Sequence, residues 1–154
     1  MMIKNLRATE DGFEGEMYFT LFDRDIMVFF EEGANEEYAN RCVTYLNSLS
    51  DEVVNQLCLA SIRYCNDFLY GIGEDEKVFE KPSDVLRLVY PSSLIVPEPL
   101  NGNEPVINME LNCEWEIEHG MQLIIRNDSV LYVGGYNGED PWGDFSTKKS
   151  WNYA

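Results

Sequence analysis

From Ile107 to Glu118 apolar and polar residues alternate without a break. Ile107, Met109, Leu111, Cys113, Trp115 and Ile117 share one parity; Asn108, Glu110, Asn112, Glu114, Glu116 and Glu118 share the other. A period of two is the signature of a strand with one buried and one displayed face. At about 3.3 Å per residue such a strand would extend about 40 Å. The run therefore commits this chain to a sheet whose apolar face another layer must cover.

Parity also sets the turn that follows. With Glu118-His119-Gly120 as a three-residue loop, Ile117 opposes Met121, Trp115 opposes Leu123 and Cys113 opposes Ile125. A two-residue loop would set Ile117 against Gln122 and mix the faces. The longer loop also puts Gly120 last, where a positive φ is needed. The same reasoning makes Asn127-Asp128-Ser129 an odd loop, with Leu131 and Val133 returning to the core. The C-terminal half thus reads as a three- or four-stranded antiparallel meander.

A β-hairpin is predicted near the start. Met17, Phe19 and Leu21 alternate with polar neighbours, and a four-residue loop pairs Leu21 with Ile26, Phe19 with Val28 and Met17 with Phe30. Two helices follow. Asn35 caps the first, with Glu36 and Glu37 at its positive end and Tyr38, Cys42, Tyr45, Leu46 and Leu49 on one stripe. Ser50 caps the second, from Asp51 to about Phe68, with Val54, Leu57, Cys58, Ser61, Ile62, Cys65 and Phe68 inward. The short break between them implies an antiparallel pair covering the apolar face of the meander. Ser83 to Val89 reads as a short helix ended by Pro91, and Leu94-Ile95-Val96 as a short strand whose end Pro97-Glu98-Pro99 puts at an edge or outside the ladder. With no repeat, low-complexity tract or linker, residues 1–154 form one α+β domain.

Charge narrows the function classes. Eleven Lys plus Arg against 28 Asp plus Glu give a net charge of −17. Nucleic acid and anionic membranes both require cations to displace counterions, so neither is expected as a partner. A basic protein is favoured instead, and its approach would be salt-dependent. Cys42, Cys58, Cys65 and Cys113 lie in apolar stripes without a C-x-x-C pair and read as reduced core residues. Met1 to Arg7 lacks the hydrophobic run of a signal peptide, and no apolar stretch approaches the ~20 residues of a membrane span, so the expected location is cytoplasmic.

Catalytic and metal chemistry find little support. His119 is the single histidine, too few for a typical zinc set. Cys113 faces inward mid-strand while His119 sits at a loop tip, so they cannot form a nucleophilic pair. Glu114 and Glu116 have the spacing of glycosidic carboxylates only because strand neighbours at i and i+2 always do. Gly71-Ile72-Gly73 lacks the basic residue of a phosphate loop. No catalytic residue, metal ligand or cofactor is assigned.

The displayed face carries Glu110, Glu114, Glu116 and Glu118, with Ile124 and Tyr132 side by side, an acidic ladder next to an apolar patch that could receive a cationic surface. The segment from Gly134 to Phe145 adds Asp140, Trp142 and Asp144. Its aromatics are either a lid folded back on the core or a contact surface, and the lid is favoured because bare large aromatics are a liability.

Cys113-Glu114-Trp115-Glu116-Ile117-Glu118-His119-Gly120, then Leu131-Tyr132-Val133-Gly134 and Asn152-Tyr153-Ala154, resemble a group of small bacterial proteins of unknown function. That group carries a C-E-W-x-x-E-H-G hairpin followed by a G-x-Y loop, and some members are regarded as immunity proteins of polymorphic toxin systems. The match covers the last third well and the N-terminal part only in general order. The resemblance implies a toxin-neutralising role and brings no catalytic residues with it. Together with the charge, it makes the leading expectation a binding protein that neutralises a basic toxin or effector. The alternatives are a hydrolase using surface carboxylates and a general interaction module.

Overall fold

The computed structural model describes residues 3–154. Seven strands form one sheet in sequence order: β1 (Ile3–Thr9), β2 (Gly12–Phe19), β3 (Arg24–Phe30), β4 (Val89–Val96), β5 (Val106–Cys113), β6 (Glu116–Arg126) and β7 (Ser129–Gly135). Every neighbouring pair is antiparallel except β3 and β4, which pair in parallel with Val28 beside Leu94. The α+β class holds, but the hairpin and the meander are fused into one mixed sheet. The cause lies in the connection. Helices α1 (Glu36–Leu46) and α2 (Asp51–Gly71) and a 3₁₀ segment (Pro82–Leu88) carry the chain back before β4 begins, the long crossover that parallel neighbours require.

Both helices start where their caps are. The Asn35 side chain accepts from the Tyr38 amide at 2.8 Å, and the Ser50 hydroxyl from the Val53 amide at 3.2 Å. Tyr38, Cys42 and Leu46 of α1 and Leu57, Cys58, Tyr64 and Cys65 of α2 are buried in one core with Met17, Phe19, Val28, Leu94, Met109, Leu111 and Leu123 of the sheet. All four cysteines are free and buried, and burial pushes the Cys58 thiol up to about 11 and the Cys113 thiol up to about 12. No described helix is long and apolar enough to cross a membrane.

Three expectations are corrected by the geometry. The strand through Glu118 is broken: β5 ends at Cys113, Glu114 and Trp115 form the turn, and Glu118-His119-Gly120 lies inside β6. Trp115 explains the break. Its ring is buried and meets Tyr64 edge-on, with centroids 5.4 Å apart, while the Glu114 amide donates to the Leu88 carbonyl. Ile117, continuing the apolar parity, is 78% exposed. As a result Ile107, not Cys113, opposes Ile125, a displacement of six residues. In the N-terminal hairpin Met17 opposes Ile26, not Phe30, a displacement of four. Both displacements are even, so each residue keeps its face although its partner changes. The third correction is the turn after β6, which is Asn127-Asp128, both at positive φ, with a bulge at Ile124/Ile125 supplying the missing residue. Val133 returns to the main core, while Leu131 packs on the opposite side of the sheet.

That opposite side is not an open solvated face. Residues 136–154 fold back over β5–β7 as an aromatic strap, and Val106, Ile124 and Tyr132 form a second small core with Trp142 and Phe145. Gly134 is required there, because a Cβ would lie 2.4 Å from the Trp151 carbonyl oxygen and 2.9 Å from the Tyr132 hydroxyl. The strap ends along the outer edge of β7: the Tyr153 amide donates to Val133 O, and the Asn152 amide group to Leu131 O. Tyr153 then stacks on Tyr64 of α2.

Candidate partner-binding surface

The sheet thus has a helix face and a strap face, and the strap covers only half of the latter. Over β2–β4 several side chains of that face are exposed among the described residues. Side chains of the strap-face parity there are Tyr18, Met27, Phe29, Tyr90 and Ile95, interleaved with Glu14 and Glu16, with Glu110 on the neighbouring β5. Register fixes the order: Glu16, Met27, Ser93, Glu110 and Gln122 lie in one row across the strands, and Glu14, Phe29 and Ile95 in the next. Tyr18, Phe29 and Tyr90 are each 40–44% exposed. Strands supply such a surface naturally, since alternate residues must point away from the helices. Partly exposed rings beside carboxylates are the composition of a contact surface.

The charges on this half-face differ from its edge inward. At the β1 edge Lys4 pairs with Asp25 at 2.7 Å, Arg7 with Glu14 at 2.5 Å, and the Asn5 amide group donates to Glu16. Among the described residues no Lys or Arg pairs with Glu110, Glu114, Glu116 or Glu118. The four do not form the ladder expected of them. Glu110 is half-buried on the strap face of β5. Glu114 sits exposed in the turn, where the Tyr90 hydroxyl donates to it at 2.5 Å. Glu116, one residue beyond that turn, accepts from the Glu118 amide at 3.0 Å and pairs with His119 Nδ1 at 2.5 Å. Glu118 is exposed beside them.

Titration follows this geometry. Partial burial tends to raise Glu116, but the bonds from the Glu118 amide and His119 outweigh it and hold the carboxyl below the ordinary value. The same bond and charge raise His119. Near the strap's rim, burial and the Asp140 charge raise Glu31, and burial with Glu110 and Glu31 raises Tyr136. Among the described residues no Lys or Arg pairs with Glu31, Glu110 or Asp140. A cation arriving beside them would favour their charged forms.

The remaining expected contact residues lie in or under the strap. Ile124 and Tyr132 are buried at 0% and 1% exposure, so the apolar patch expected on the surface is the strap's own seat. Trp142 donates through Nε1 to the Glu98 carbonyl and lies under the Arg126 guanidinium at 5.8 Å. Arg126 also donates to the Pro141 and Gly143 carbonyls. Asp140 and Asp144 stay exposed and hold turns of the strap, accepting from the Trp142 and Ser146 amides.

Tyr18, Met27, Phe29, Tyr90 and Ile95 did not stand out in the sequence as contact residues. Their signal was present: each alternates with a core residue, so it must face away from the helices. Nothing local showed that this half of the face would be left bare. Among the described residues no cluster of three His, Cys, Asp or Glu side chains could hold a metal. No curated protein and no solved structure matches the chain. Residues 2–141 match the family described as a domain of unknown function (DUF6985), and the protein belongs to that family.

Proposed function

We propose that this protein is a binding protein that holds a basic protein partner on the open half of its strap face, in the manner of an immunity protein neutralising a cationic toxin or effector. The observation that carries the proposal is the set of partly exposed rings Tyr18, Phe29 and Tyr90 on the face that holds Glu110, with Glu114 bonded to Tyr90, two carboxylates that pair with no Lys or Arg among the described residues, in a chain of net charge −17. Rings supply buried contact area and rim carboxylates steer a cationic partner into register. The resemblance of the Cys113–Gly120 segment to a group of small proteins of unknown function, some of them regarded as immunity proteins, agrees with this role. The contact side chains stand on hydrogen-bonded strands, and such a preformed surface lowers the ordering cost of binding.

The test starts with a pull-down from the organism that makes the protein, followed by surface plasmon resonance on the protein recovered. The proposal expects a partner of high isoelectric point whose association slows as salt rises from about 50 to 200 mM, with the Debye length contracting accordingly. Tyr90→Ser with Glu114→Lys should weaken binding by at least tenfold and leave thermal unfolding nearly unchanged. A partner that is acidic, or one indifferent to both salt and this double substitution, would refute it.

A further inference from the structure

Between segments of the strap and Tyr132 lies a partly open cavity of about 130 Å³. Three rings line it, those of Tyr132, Phe145 and Trp151, together with Glu139, Asp140 and Asp144. Lys149 is the one cationic residue in its wall. The Arg126 guanidinium lies outside the lining and is held by the Pro141 and Gly143 carbonyls. Three acidic residues and one lysine thus line an aromatic-walled, partly open cavity. Hydrogen bonds from the Ser146 amide and hydroxyl hold Asp144 below the ordinary carboxylate range, so it is ionised at neutral pH.

These walls select among ligands. An anion would meet the carboxylates, and a neutral alkyl group would desolvate them without a partner. A cation meets the electron-rich ring faces and the carboxylates at once. Guanidinium suits the site better than ammonium, because it is planar, weakly hydrated, stacks on rings and binds carboxylates in a fork. The volume holds several waters, which is room for the four heavy atoms of that group and the end of its stem.

We propose that this cavity takes the guanidinium of an arginine side chain supplied by the basic partner. The proposal rests on the partner-binding function above and adds the place where one anchor residue goes. It can be tested without the partner. N-acetyl-arginine methylamide is titrated into the full chain at low ionic strength, followed by NMR at the Trp151 indole N–H and the Asp144 and Phe145 amides. Saturable shifts confined to the cavity are expected, with affinity at least tenfold weaker in Trp151→Ala and in Asp144→Asn, and unchanged in Tyr90→Ser. Trp151 is 47% exposed, so its removal spares the core; Asn at 144 keeps the oxygen that accepts from the Ser146 amide. N-acetyl-norleucine methylamide, with a stem but no charge, should give no saturable response. Equal responses to the two amides, or an arginine response that survives both cavity variants, would overturn the assignment. Failure of this titration faults the cavity alone, whereas failure of the Tyr90 and Glu114 substitutions faults the sheet face.

Discussion

Gln122→Leu is the substitution that most sharply probes how the strap is held. Gln122 is fully buried, and all of its amide hydrogen-bonding capacity is in use. Nε2 donates to Asn108 Oδ1 at 2.9 Å and to Glu139 O at 3.0 Å; Oε1 accepts from the Glu139 amide at 3.0 Å and the Asn137 amide at 3.5 Å. Leucine has nearly the same volume, so little cavity cost arises. The cost is polar. Asn108 Oδ1, itself buried, loses its partner at about 1–3 kcal/mol, and the lost strap bonds to Glu139 add about 1 kcal/mol each. The sum is about 3–5 kcal/mol, a large share of the ~5–15 kcal/mol typical of a domain. Urea unfolding followed by tryptophan fluorescence gives the global loss, and hydrogen exchange at the Asn137 and Glu139 amides gives the local one. Glu139 exchange should accelerate by roughly 100-fold, since each 1.4 kcal/mol is a factor of ten. A stability loss below about 1 kcal/mol with unchanged Glu139 protection would show that this amide does not latch the strap.

Two further outcomes follow from local geometry. Asn35→Ala and Ser50→Ala should each destabilise by about 1 kcal/mol in urea unfolding, because each removes the one side-chain acceptor at its helix start; full stability in both would mean the caps are redundant. His119 should titrate above 6.5 by NMR and return toward that value in Glu116→Gln, since the Glu116 bond and charge raise it. The sign is fixed by both partners. A raised histidine stabilises at low pH and loses its contribution as pH rises through its folded pKa, and a lowered carboxylate loses its contribution as pH falls through its own. The pair is therefore intact between the lowered Glu116 value and the raised His119 value.

Face assignment was legible in the sequence to a greater degree than pairing. Met17, Phe19, Ile26, Val28, Met109, Leu111, Leu123 and Ile125 all lie on the helix face that their alternation predicts. The partners were misassigned because alternation constrains only the parity of a register, and displacements of four and six residues keep parity intact. Trp115 fitted the alternation while in fact ending the strand, since burial in a turn and burial in a strand look alike in one dimension. The β1 strand escaped notice because its row of Lys4, Asn5, Arg7 and Thr9 is mostly exposed and kinked at Asn5, whose φ is 55°. The helix caps were legible because a cap is a local bond between near neighbours.

The candidate site was legible in part. Surplus acid and the C-terminal aromatics pointed toward the strap face, but Ile124 and Tyr132 were read as displayed although they are the strap's seat. A residue's parity says which face it occupies and nothing about whether a distant segment covers that face. Trp142 and Phe145 decide that, from a loop with no period of its own.

Carboxyl footprinting with a carbodiimide and glycine ethyl ester, on the protein alone and bound to its recovered partner, addresses the binding face most directly. Reactivity should fall at Glu16, Glu110, Glu114 and Asp144 on complex formation, while Glu36, Glu37, Asp51 and Glu52 at the helix starts continue to react. Protection of the helix-start carboxylates with the sheet carboxylates still fully reactive would place the partner on the other side of the molecule.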